Sequence, residues 1–298
     1  MPNPTITASS YAGEFAGKYI AASLLTAKTL DDAAITILPN IKYKAAMKVG
    51  AFSNLVRSAD CDFDSTTSGL TLTEKVLTPT ELQVNLQICK KELHADWEAA
   101  QMGFSAFDNL PPLFSDFVIA RVAAEVAQAT ENSIWGGAAA EGNFDGFKTI
   151  MQADGDVVDV TGQSVTAANV IAELTKIIDA IPAAVYGSDD LVLYVSTTFA
   201  KCYIQAQATL GYANLYNAGT TEMNFQGIPM FVTPGLQTNN AVAARKSNLY
   251  FGTGLLNDRN EVKVIDMADI DGSQNVRVVM RYTAGVQIGV GADIVLYS

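Results

Sequence analysis

Residues 166–181 read TAANVIAELTKIIDAI, and four further blocks follow: DLVLYVSTTFAKCYIQAQATLG (190–211), GIPMFVTP (227–234), LYFGTGLL (249–256) and NVRVVMRYTAGVQIGV (275–290). In the first block Val170, Ile171, Leu174, Ile177, Ile178 and Ile181 recur at the spacing of one apolar helix face, and Pro182 ends the run. Asp190 to Val195 is a short, almost continuous apolar run, the pattern of a strand covered on both faces. Phe199 to Leu210 reads as helix and stops at Gly211, after which Tyr212 to Phe225 is a polar loop carrying tyrosines. Ile228–Thr233, Leu249–Thr253 and Val262–Asp266 read as further strands. In the last block Val276, Val278, Met280 and Tyr282 alternate with Arg277, Val279 and Arg281, before Val286, Ile288 and Val290 lead into Ile294–Tyr297. This spacing predicts two long neighbouring strands joined at Thr283–Gly285. The fold class is therefore α+β.

Towards the N-terminus, Pro111–Pro112 opens a long helix over 113–135, which Gly136–Gly137 closes. Arg121, Glu125, Gln128 and Asn132 form its polar stripe, and Val118, Val122, Val126 and Ala127 lie opposite as its core side. Residues 136–164 read as a Gly/Asp-rich connection with apolar islands at Phe144, Phe147, Ile150 and Val157–Val160. Leu82, Val84, Leu86 and Ile88 alternate with Gln83, Asn85 and Gln87, a strand with one apolar and one polar face. With the acidic, turn-prone DCDFDSTTSG at 60–69, residues 52–90 read as a long two-stranded hairpin whose apolar face lacks a partner. Residues 1–50 hold two short helical patterns, the second punctuated by Pro39 and Gly50. Phe15, Tyr19, Ala22 and Leu24 make a loose stripe suited to an arm that lies on something else.

Composition supports a chain covered by neighbours. Of 298 residues, 49% are hydrophobic and 17% charged, and mean hydropathy is +0.17, high for a surface that meets only water. The 19 Lys and Arg against 31 Asp and Glu leave a net charge of −12 with no basic cluster, so contact with nucleic acid is weak. No apolar run is long enough to span a membrane, and MPNPTITASS has no signal-peptide pattern, which predicts use without secretory export. Cys61, Cys89 and Cys202 are odd in number and widely spaced, consistent with reduced, small buried side chains in a cytoplasmic setting.

Candidate chemistry is sparse. His94, the sole histidine, sits in the charged helical stretch KKELHADWE with no nucleophile at a recognisable spacing, and Cys61, Cys89 and His94 lack a fourth zinc ligand. Asp60, Asp62 and Asp64 alternate without the glycine and the terminal glutamate of a calcium loop, so they read as a solvated acidic turn. Gly285-Val286-Gln287-Ile288-Gly289 precedes no helix and is not a dinucleotide fingerprint. No catalytic, metal or cofactor site is predicted, and the chain is not read as an enzyme.

The order of arm, polar-tipped hairpin, long helix, inserted α+β unit and final arginine-bearing strand resembles the major capsid proteins of tailed phages, the Hong Kong 97-type fold. The resemblance spans nearly the whole chain and rests on the succession of blocks quoted above. It implies an N-terminal arm (1–51), an extended loop (52–92), a peripheral subdomain (93–164) with a spine helix at 113–135, an axial subdomain (165–265), and strands returning to the peripheral subdomain (266–298). It also implies a subunit that assembles with its own copies into pentamers and hexamers around double-stranded DNA. Portal, scaffolding and decoration proteins would be further partners, with no membrane and no cofactor. Under that resemblance Lys75, Leu82, Val84, Leu86, Ile88, Tyr212, Tyr216 and Phe225 are the candidate inter-subunit contacts, and Val118, Val122 and Val126 the spine-helix core. The family's covalent cross-link would need Lys75. No charged coiled-coil segment precedes the arm, which implies a separate scaffolding protein or a different assembly route. A cellular nanocompartment shell of the encapsulin type is the alternative.

Overall fold

The computed structural model describes residues 28–52, 70–90, 112–209, 223–254 and 263–298, apart from single positions within them, and a few positions between 56 and 61. In chain order these form a one-turn helix α1 (Lys28–Asp31) and strands β1 (Thr36–Leu38), β2 (Ala45–Phe52), β3 (Leu70–Leu77) and β4 (Thr80–Cys89). Next come the long helix α2 (Pro112–Gly136), α3 (Phe147–Ala153), β5 (Val158–Val160), α4 (Val170–Asp179), β6 (Leu191–Ser196) and α5 (Thr197–Thr209). The chain continues through β7 (Met223–Phe225), β8 (Ile228–Thr233), β9 (Ala241–Arg245), β10 (Leu249–Gly252), β11 (Lys263–Asp266), the turn α6 (Ala268–Asp271), β12 (Asn275–Ile288) and β13 (Val295–Tyr297).

The first sheet is built on β12. The sequence pattern predicts a turn at Thr283–Gly285, but β12 runs straight through it as one 14-residue strand, and what changes there is its partners. Along Asn275–Ala284 one edge pairs antiparallel with all of β4. The other edge pairs with β11 at Val276–Val279 and with β10 at Gly285–Ile288, and β1 adds in parallel outside β10. Gly285 is required for close approach and not for a bend: a Cβ there would lie 3.0 Å from Pro79 Cα and from the carbonyl oxygen of Thr78. That point is where β3 turns into β4.

Val276, Val278, Met280, Tyr282 and Ala284 point to a buried side of β12, against which α2 lays Val118, Val122, Val126, Ile134 and Trp135. The three predicted core valines of the long helix are thus buried. At the end of α2, Trp135 stacks at a tilt on Phe147 (5.3 Å between ring centroids) and Tyr194 (5.1 Å), which ties the helix to α3 and to β6 of the second sheet. Phe147 and Met151 sit on α3, a helix where the Gly/Asp-rich composition suggested only connection. Two fully buried side chains one turn apart explain its formation.

The second sheet has the order β5-β13-β9-β6-β8-β7. Its central strands are covered on both faces and partition by alternation: Val192, Tyr194, Val242, Ala244 and Leu296 join the core under α2. Leu191, Leu193, Val195, Ala241, Ala243, Val295 and Tyr297 join a separate core beneath α4 and α5. Two-sided burial is the reason LVLYVS reads as an unbroken apolar run. This unit spans 158–245 and 295–297, so it differs from the predicted 165–265 division: β10 and β11 leave it to flank β12.

Two expectations for the N-terminal third are corrected. The hairpin consists of β2 with β3, Ala45–Phe52 against Leu70–Leu77, whereas β4 lies in the main sheet; its apolar residues pack inward in the same chain, which is why the strand turns away. Residues 28–52 contain one helical turn and two strands in place of the second helical pattern, and 28–38 are built into the body through buried Thr29, Leu30, Ala34 and Ile35. The stripe from Phe15 to Leu24 lies outside the described residues.

Val126→Asp places an uncompensated carboxylate in the core that α2 shares with β12, at a cost of about 4 kcal/mol. Chemical denaturation should show a large loss of stability in the full chain; an unchanged midpoint would remove α2 from the core.

Candidate functional site

Among the described residues β2 and β3 pair only with each other, as a two-stranded sheet separate from the two larger ones. Alternation divides its side chains. One face carries Ala46, Lys48 and Gly50 opposite Val76, Glu74 and Leu72, with Lys48 directly across from Glu74. This face is open to solvent, and Leu72 is 63% exposed. The other face, with Met47, Val49, Lys75 and Leu77, turns toward the body, and Leu77 is completely buried.

The hairpin's base is clamped by three successive residues of β3. Lys75 Nζ forms a hydrogen-bonded ion pair with the Asp154 carboxylate at the end of α3. The Gln287 side-chain amide of β12 donates to the Val76 carbonyl at 3.0 Å. Leu77 fills the space over Gly252, where a Cβ would come within 2.3 Å of its Cδ2. Burial pushes the Asp154 pKa up, but hydrogen bonds from Lys75 and from the Asp156 N–H, with the Lys75 charge, outweigh it and leave the carboxyl below its ordinary value. An open depression of about 400 Å³ beside this pair is lined by Asp145, Thr149, Ile150 and Gln287 among others.

The remaining candidate contacts fall elsewhere. Leu82 is buried in the main core, and Val84, Leu86 and Ile88 pack against it, so the face expected to need a neighbouring subunit is covered by the chain itself. Phe225 is likewise buried, edge-on to Tyr203 at 5.9 Å between centroids, because β7 folds back on β8. Tyr212 and Tyr216 lie outside the described residues, as do Asp60, Asp62, Asp64 and His94. Cys89 and Cys202 are half-buried thiols and Cys61 is exposed. Among the described residues, no group of three or more His, Cys, Asp or Glu side chains is placed to hold a metal ion, and no helix is long and apolar enough to cross a membrane.

Composition and spacing did not single out Glu131, which is fully buried on α2 beside Trp135. Its carboxylate accepts the Thr29 N–H at 3.0 Å and the Thr29 hydroxyl at 2.6 Å, and the Gly235 N–H as well. The Trp135 indole N–H donates to the Thr29 oxygen at 2.8 Å. Tyr194 adds a hydrogen bond from its hydroxyl to the Ala34 carbonyl at 2.5 Å. This clasp fastens the N-terminal segment across α2. Burial raises the Glu131 pKa above the ordinary carboxylate value; the hydrogen bonds from Thr29 and Gly235 oppose the rise and nearby Asp31 adds to it.

Comparison with solved structures places this architecture. The capsid of a native GTA particle superposes with a TM-score of 0.64 at 14% identity, covering 99% of this chain and 94% of that one. The capsid of Myoviridae phage XM1 gives 0.60 at 12% identity with 94% of each chain covered, and Gordonia phage Cozz gives 0.62 at 12% with 94% and 89%. The fold is that of phage capsid subunits. No protein-family model matches the chain, and no curated protein does. At 12–14% identity the likeness is one of fold.

Within this capsid fold Glu131 gives a signed pH dependence. A folded-state pKa raised above the unfolded value of 4.5 means that the folded chain holds the proton more tightly. This group's contribution is therefore greatest in acid and is lost as pH rises through the unfolded and then the folded pKa. Glu131→Gln removes that slope and adds a pH-independent penalty, since its amide group faces N–H donors. Denaturation from about pH 4 to neutrality should show wild type losing stability relative to E131Q. A constant difference would refute the assignment.

Proposed function

We propose that this chain is a major capsid protein of the Hong Kong 97 type, building the icosahedral head of a tailed double-stranded DNA phage from pentamers and hexamers. The observation that carries the reading is end-to-end agreement with the capsid of a GTA particle, over 99% of this chain and 94% of that one. The physical features fit the role. A hairpin whose strands pair only with each other among the described residues and which carries an apolar outward patch, Leu72 and Val76, suits a surface completed by a neighbouring copy. A net charge of −12 without a basic cluster suits a wall that encloses DNA without gripping it.

In this reading the β2–β3 hairpin is the base of the extended loop and α2 is the spine helix. The sheet around β12 with α2 is the peripheral subdomain, and the sheet from β5 to β9 with α4 and α5 is the axial one. The same chain copies supply most of its contacts, and portal, scaffolding and decoration proteins are its other partners. DNA contact is weak and non-specific. The protein would be assembled in the host cytoplasm and end in the virion.

Phe52 and Leu70 face each other in register, so residues 53–69 can be replaced by a two-residue Asn-Gly turn without disturbing the ladder. The shortened chain should fold with unchanged thermal stability, while electron microscopy shows closed shells for the intact chain and none for the variant. An intact chain that stays monomeric at high concentration under every salt and scaffold condition would overturn the reading.

A further inference from the structure

We propose that the Lys75–Asp154 ion pair is a latch that sets the angle of the β2–β3 hairpin on the subunit body, the hairpin pivoting about Thr78–Pro79 when the latch is open. The geometry has three parts. First, β2 and β3 pair only with each other among the described residues, and no described strand of the body is in register with them. Second, the route from the hairpin into the body passes through Thr78 and Pro79, packed against Gly285 of the continuous strand β12. β12 is fixed on both edges, which makes it a stationary bearing.

Third, the tethers are graded along β3. Leu77 is sealed in the core, and Val76 is held through its carbonyl by Gln287, both within two residues of the pivot. Lys75 is the outermost of the three. Beyond it the polar contact of Thr73 is internal to the hairpin, its hydroxyl donating to the Val49 carbonyl at 3.4 Å. On the partner strand, the last backbone bonds to the body are those of Asn40 and Ile41 to Gly254 and Thr253, before β2 begins. Releasing Lys75 therefore removes the outermost polar tether among the described residues, while the bond at Val76 and the apolar seal at Leu77 stay closed.

The pair is built to open. Lys75 remains partly exposed, whereas Asp154 is largely buried and held by its own helix end: its N–H bonds to the carbonyls of Ile150 and Met151, and its Oδ1 accepts the Asp156 N–H at 3.2 Å. The carboxylate is thus a fixed anchor and the lysine the moving part. The open depression beside them leaves room for the ammonium to withdraw into water. Partly exposed pairs of this kind are weak and screened by salt, so both states are accessible.

The test uses the full chain, unassembled at low concentration, so its outcome does not depend on whether the chain builds shells. Amide exchange by mass spectrometry is read at 45–52 and 70–76, with 191–196 and 241–245 as the body control. Lys75→Ala and Asp154→Asn should each raise exchange in the hairpin by about fivefold and leave the control unchanged. The double exchange Lys75→Asp with Asp154→Lys should restore protection. In the wild type, 1 M salt should reproduce part of the rise. Spin labels at Leu72→Cys and at the exposed body position Lys201→Cys, on a Cys61→Ser, Cys89→Ser, Cys202→Ser background, should show a broadened distance distribution in Lys75→Ala. Unchanged hairpin exchange in both single variants would overturn the proposal. So would an equal rise in the control, which would make the pair a general stabiliser, or a double variant as open as the singles.

Discussion

The unbroken run of β12 is the constraint on which the rest of this fold depends. A 14-residue strand offers two edges and two faces, and nearly every distant part of the chain is placed by one of them. One edge takes β4 and so fixes where the hairpin leaves the body. The other takes β10 and β11 in succession, and through β10 it takes β1 and the N-terminal segment. The buried face takes α2. Gly285 is the point where these demands meet, because the β3-to-β4 turn crosses at a distance that excludes a side chain.

Long, strongly periodic elements were legible before the structure. The apolar face of 170–181, the all-buried character of 191–196 and the valine stripe of α2 each follow from side-chain periodicity, and each is found where that period puts it. Pairing was less legible, since alternation identifies a strand and its faces but not the strand opposite. Leu82, Val84, Leu86 and Ile88 show the limit: the alternation is real, but the partner is β12, almost 200 residues later, and not the neighbouring strand. Thr283–Gly285 fails for a related reason, since glycine marks both turns and close approaches and only the tertiary contact distinguishes them.

The candidate site divides along the same line. Lys75 was found because it is a lysine in a hairpin, but its anchor Asp154 lies 79 residues away in a segment with no strong pattern. Glu131 was invisible because a glutamate on a helix is ordinarily solvated; only packing shows Thr29 and Gly235 converging on it, with Trp135 donating to Thr29 behind them. Such buried groups are specific only when their hydrogen bonds are met, and here the donors to the carboxylate come from two separate segments, at Thr29 and Gly235. They tie the N-terminal segment to the helix that also carries the main core.

The hairpin then carries a physical tension that suits its proposed use. A two-stranded ladder that pairs with no other strand among the described residues is marginal in water, and its outward face spends apolar surface, Leu72 and Val76, on solvent. Lys48 opposite Glu74 supports the register but adds little energy at an exposed position. Order in the hairpin must therefore come from its ends: the clamp at Lys75, Val76 and Leu77 on one side and, in an assembled shell, a neighbouring copy on the other. A body stabilised by two complete cores can tolerate such a loosely held extension. Stability and adaptability are thus assigned to different parts of one chain, with the boundary at Thr78–Pro79.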